Sequence, residues 1–177
     1  MTLNFMQQFE DGSPTLFVEK ITKGLWINHP LGSVFDIVNM FVNCPFKSVK
    51  DKYPELMYND DSRKLWDKIG EPKIHTIRSG NRWEEGMNIH FKIWTGKPYK
   101  DKTFNFAPIV KCTWVQDIKI IQQPDEPIIL IDGVVLDTDE KTELAINDGF
   151  KNLEHFNKWF NEDFNGQIIH WIKKDNF

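Results

Sequence analysis

Lys73-Ile74-His75-Thr76-Ile77-Arg78, near the middle of the chain, is short enough for one strand yet holds four polar side chains. In an extended run, side chains alternate between faces. Lys73, His75 and Ile77 then share one face, and Ile74, Thr76 and Arg78 the other. Neither face is purely apolar. A strand that only fills a core does not carry a Lys, a His, a Thr and an Arg, because burying such groups without partners is costly. The stretch is therefore either an edge strand with a solvated face or the wall of a site.

Around it, 177 residues fit one domain, or one domain with a sizeable insertion. Forty per cent hydrophobic residues, with seven Trp and fourteen Phe, suffice for a real core. A charged fraction of 27% and no long apolar run argue against a membrane span. Met1-Thr2-Leu3-Asn4-Phe5 has no basic region followed by an apolar block, so no secretory signal is read and the cytoplasm is expected. Cys44 and Cys112 lie far apart and outside metal-ligand spacing, which suits reduced, packed thiols.

The net charge of −4 disfavours indiscriminate polyanion binding. Yet residues 73 to 119 hold nine Lys or Arg against four acids, a local +5 that leaves −9 elsewhere. A basic middle on an acidic chain attracts a phosphate locally while discouraging the wrapping of long duplexes. Lys97, Lys100 and Lys102 equally suit a solvated hairpin tip.

Residues 3 to 9 read as a first strand, followed by the turn Asp11-Gly12-Ser13-Pro14 and a short helix over about 15 to 24. Ser13 or Thr15 caps this helix, and Gly24 ends it. Residues 25 to 72 change character. Leu31, Val34, Phe35, Val38, Phe41 and Val42 recur at helical spacing, Pro45 stops that helix, and Asp60-Asp61-Ser62 opens another with Leu65, Trp66 and Ile69. This is a helical insertion. From Lys73 the pattern turns to strands, at Asn88 to Trp94 and Ile109 to Ile121, joined by Gly96-Lys97-Pro98 and a polar loop. Ile128 to Ile131 and Val134 to Leu136 flank Asp132-Gly133, a hairpin signal. Asp137, Thr138 or Asp139 caps a helix that stops at Asp148-Gly149. Another helix follows from Asn152 with Leu153, Phe156, Phe160 and Phe164 on one face, and Gln167 to Ile172 is the last strand. The expected class is α+β, with a mainly β core closed or half-closed as a small barrel and helices at its margins.

The order of motifs resembles the ASCH (activating signal cointegrator homology) family of PUA-like β-barrels. The match rests on Phe17-Val18-Glu19-Lys20-Ile21-(x2)-Gly24, Lys73-(x2)-Thr76-Ile77-Arg78 and Trp83-(x2)-Gly86-Met87-Asn88-Ile89-His90. It continues with Val110-Lys111-Cys112, Ile118-Lys119-Ile120, Leu144-Ala145-(x2)-Asp148-Gly149-Phe150 and Ile168-Ile169-His170-Trp171. It covers residues 3 to 24 and 73 to 172, and the insertion at 25 to 72 separates segments that are close together in many relatives.

The resemblance implies an RNA-associated module with a cleft lined by Lys73, Thr76, Arg78 and Asp148. Arg78, His75, Arg82 and Trp83 are the ligand-binding candidates. Lys73 and Arg78 would meet phosphate, Asp148 a base amino group, and Trp83, Trp94 or Trp114 a base face. Core packing is the ordinary alternative for each tryptophan. One branch of the family hydrolyses the amide of acetylcytidine with a Lys, Thr, Glu triad, which maps onto Lys73, Thr76 and Asp148, with Asp in place of Glu. Such hydrolysis needs a nucleophile, a base and an oxyanion-stabilising group. Either Lys73 is the base and Asp148 orients it, or Asp148 activates the nucleophile and Lys73 stabilises negative charge. Arg78 has a structural alternative, bridging Asp148 and the helix turn. His170 reads as structural. His75 and His90 lack a third ligand, so no metal and no cofactor is expected. The partners expected are RNA or a modified nucleoside and no membrane. The insertion at 25 to 72 could dock a protein.

Overall fold

The computed structural model describes residues 1–28, 69–94 and 97–172. The fold is α+β. The chain divides into two compact units, Met1–Pro72 with Ile89–Ile109, and Lys73–Asn88 with Val110–Phe177. The expected helix carrying Leu31 to Val42 lies outside the described residues, as does the one opened by Asp60-Asp61-Ser62 except at its end, where Ile69 is helical and buried.

In the first unit, β1 (Thr2–Phe5) pairs in parallel with β3 (Asn88–Trp94), and β3 pairs antiparallel with β4 (Thr103–Asn105). Alternation explains the burial: Leu3 and Phe5 on β1 and Ile89, Phe91 and Ile93 on β3 point inward. Phe5 lies between Phe91, 6.3 Å away and stacked, and Phe106 and Phe17, both edge-on at 6.0 Å. Helix α1 (Phe17–Asn28) runs through Gly24 instead of ending there. Ile21 and Leu25 are both fully buried, and that continuous apolar face outweighs the cost of about 1 kcal/mol for a mid-helix glycine. The first strand ends at Phe5 rather than residue 9; beyond it the Gln7 side-chain amide donates to the Trp94 carbonyl at 2.8 Å. The Lys23 ammonium donates to the Gly70 carbonyl at 2.6 Å, where the insertion returns.

The second unit is built on a five-stranded antiparallel sheet. Its strands are β2 (His75–Ser79), β6 (Trp114–Ile121), β7 (Ile128–Ile131), β8 (Val134–Val135) and β9 (Phe164–His170), in the order β2-β9-β6-β7-β8. The register places His75, Ile77, Ile168, His170, Ile118, Ile120 and Ile129 on one face, and all seven are buried. The opposite face carries Thr76, Arg78, Gln167, Asn165, Asp117, Lys119 and Leu130. The expected single strand over 109 to 121 is broken. β5 (Val110–Lys111) stops before Cys112, whose N–H donates to Met87, while the Thr113 N–H donates to His170. Cys112 is a buried free thiol, its pKa raised by burial, and Cys44 lies outside the described residues.

Helix α2 (Thr138–Asn147) begins at an Asp137 cap. Asp137 accepts from the Glu140 N–H, and the Glu140 carboxylate accepts from the Asp137 N–H, a reciprocal capping box. It ends where Gly149 turns to φ +90°, a conformation that favours glycine. Helix α3 (Leu153–Trp159) is capped by Asn152, and Phe150, Phe156, Phe160 and Phe164 form an aromatic chain beside it. The described strands form two sheets and close no barrel. Among the described residues no helix is long and apolar enough to cross a membrane.

Candidate functional site

Strand β2 starts at His75, so Lys73 precedes it and escapes the alternation that would have set it opposite Thr76. The lead-in is tied to the end of α2 by the Ile74 N–H, which donates to the Asn147 carbonyl at 3.0 Å. Among the described residues β2 is an edge strand, paired on one side with β9. On its other side the Ile77 N–H points at the Asp148 carboxylate, 3.3 Å away. The Lys73 ammonium meets the same carboxylate oxygen at 2.5 Å and also donates to the Asp148 backbone carbonyl. Lys73 thus neutralises a carboxylate and satisfies a carbonyl at a helix C-terminus, where the helix dipole favours a cation.

Both partners are buried, Lys73 at 1% exposure and Asp148 at 4%. Burial pushes the Asp148 carboxyl above its ordinary range, and the nearby positive charges of Lys73 and Arg78 pull it back only in part. Arg78 therefore acts on Asp148 electrostatically, while its Nη1 donates to the Ile77 carbonyl at 2.8 Å. Thr76 is buried on β2 opposite Ile169. The structure thus brings Lys73, Asp148 and Arg78 together and sets Thr76 on the face that Arg78 shares.

The other candidates scatter. Arg82 is exposed. Trp83 is a core ring at 5% exposure, and its backbone N–H and carbonyl are both held by the Gln167 side chain, at 3.0 and 3.3 Å. His75 is buried on the inward face with its ring 5.1 Å from that of His170. Trp114 stacks on His170 at 3.8 Å, and Trp94 leans on Tyr99. Among the described residues no group of three or more His, Cys, Asp or Glu is placed to hold a metal ion.

Sequence reasoning missed a concavity of about 470 Å³ on the polar face of the same sheet. Gly80, Asn81, Asp117, Lys119, Asn165 and Gly166 are among the residues that line it. Asp117 and Lys119 are exposed between buried Ile118 and Ile120. The alternation Asp-Ile-Lys-Ile over residues 117 to 120 was the available signal, but Asp117 counted only as a charge, and Lys119 only as a charge and as the middle of the Ile118-Lys119-Ile120 motif. A carboxylate, an ammonium and two side-chain amides around one hollow can donate to and accept from a polar planar ligand. Comparison of the chain with protein-family models, with curated proteins and with solved structures returns no match in any of the three.

Proposed function

We propose that this chain is an ASCH-type, PUA-like domain that binds RNA or a modified nucleoside on the polar face of its five-stranded sheet. The observation that carries this is the concavity of about 470 Å³, a size usual for small-molecule sites, on the face that Thr76 and Arg78 share. Asp117, Asn81 and Asn165 suit the amino, imino and carbonyl groups of a base edge, and Lys119, Arg78 and exposed Arg82 suit phosphate. In this reading Lys73 and Asp148 anchor the edge of the strand that carries Arg78, and the ordered motifs quoted above supply the family assignment.

A second reading, an amidohydrolase acting on an acylated pyrimidine nucleoside through Lys73, Thr76 and Asp148, is favoured by the direct Lys73–Asp148 contact. Incubation with acetylcytidine separates the two. Binding without cytidine release supports the first; release that disappears in Thr76→Ala supports the second. For the first, affinity for a short single-stranded RNA falls with salt, and Arg78→Ala lowers the log–log slope by about 0.7 if one phosphate contact is lost. Binding that ignores salt and survives Arg78→Ala refutes it. A protein-docking role for residues 25 to 72 falls largely outside the described residues.

A further inference from the structure

His75 and His170 face each other across the β2–β9 pair, at the end of both strands. Their rings meet edge-on, 5.1 Å apart at 66°. The His170 ring lies on Trp114, and its Nε2 is 3.1 Å from the Gln116 side-chain oxygen. His75 is 3% exposed, yet neither ring nitrogen has a hydrogen-bond partner. The Leu144 carbonyl of α2 faces the ring without completing a bond. A neutral imidazole so placed leaves one donor and one acceptor unsatisfied, a cost that a phenyl ring of similar size would not incur.

The groups that face His75 offer a proton no welcome. Lys73 precedes it on the lead-in, with its ammonium already held by Asp148. His170 faces it from β9, neutral Trp114 and Gln116 lie beyond on β6, and α2 offers a carbonyl. With His170 neutral, the charge acting on the ring is the Lys73 cation.

We infer that the buried His75 ring, packed against His170, is an acid-released latch that holds edge strand β2 to the sheet near neutral pH and lets it go when that ring is protonated. Both rings are held neutral, chiefly by burial, His75 well below its ordinary value and His170 at about 3. A base whose folded pKa is depressed contributes stability above its unfolded value, and that stability is lost as pH falls below about 6.5. β2 is the strand that yields because β9 is its one strand partner among the described residues. Thr76 and Arg78 leave with it. The latch stands independently of what the polar face binds.

The test is amide hydrogen exchange of the full chain at pH 7 and pH 5, corrected for intrinsic rates. One proton taken up on opening, with a free pKa of about 6.5, lowers β2 protection about 20-fold over that interval. Amides of β6 and β7, which open only with the whole fold, stay better protected than those of β2 at both pH values, and His75→Phe reduces the β2 change to under about twofold. A β2 that is protected as well as β6 and β7 and opens only with them, no loss in β2, or an unchanged pH response in His75→Phe overturns the inference. Should His75→Phe not fold, imidazole nitrogen shifts of the unmodified chain decide. Rings that stay neutral throughout the native spectrum support the latch, and a ring that titrates near its ordinary value while native overturns it.

Discussion

Replacing Asp148 with Asn removes the charge that faces Lys73 while keeping an oxygen for the Ile77 N–H. The ammonium, 1% exposed, then keeps the Asp148 carbonyl but loses its counter-ion. Breaking a buried pair by removing one partner costs about 3–5 kcal/mol. Against a usual total stability of about 5–15 kcal/mol, that is a large share. At about 2–4 °C per kcal/mol for a chain of this length, the midpoint falls by about 6–20 °C. Lys73→Met should cost a similar amount, because it strands the carboxylate. The double variant Lys73→Met/Asp148→Asn removes both charges and should recover most of the loss, leaving a coupling of at least about 2 kcal/mol. Thermal and denaturant unfolding of the four proteins measure the cycle. Single costs below about 1 kcal/mol that simply add would refute the reasoning, since that is the behaviour of a solvated surface pair.

Gly166 has no room for a side chain: a Cβ there would lie 2.2 Å from the Arg78 carbonyl oxygen and 2.7 Å from the Phe164 ring. Gly166→Ala should therefore destabilise by at least about 1–3 kcal/mol in chemical denaturation, because the nearer obstacle is backbone. Asp137→Ala breaks the α2 capping box and should cost about 1 kcal/mol, seen as a lower midpoint with an unchanged denaturant slope. Lowering the pH from about 7 to about 4.5 should remove about 2.5 kcal/mol through His170 alone, whose pKa moves from 6.5 to about 3 on folding. Asp148 runs the other way. Its raised carboxyl favours the folded state in acid, and that contribution is lost as pH rises through its folded value. A stability curve flat between these pH values would contradict the histidine contribution.

Much of the fold was legible because its signals are local. Asp132-Gly133 marked the hairpin between β7 and β8, Asp137 marked the start of α2, and Asn152 capped α3. The failures came where distant contacts decide. Gly24 reads as a stop, but the buried face through Leu25 carries α1 onward. The run from Ile109 reads as one strand, but the chain changes hydrogen-bond partner at Cys112 and Thr113. At the site, motif order joined Lys73 to Asp148 across 75 positions, and the ion pair is there. What motif order did not convey is that the pair is buried and bonded to backbone. Nor did it give Asp117, Asn165 or the Lys119 of its Ile118-Lys119-Ile120 motif a place in a site, since these reach one hollow only through the pairing of β6 with β9.

The central claim, that the polar sheet face takes a nucleoside or RNA, is tested most directly by following backbone amide shifts while a short single-stranded RNA is titrated in. The account predicts saturable shifts at Gly80, Asn81, Asp117, Lys119, Asn165 and Gly166, with Arg78→Ala weakening the response. No shifts, or shifts confined to residues away from that face, would contradict it.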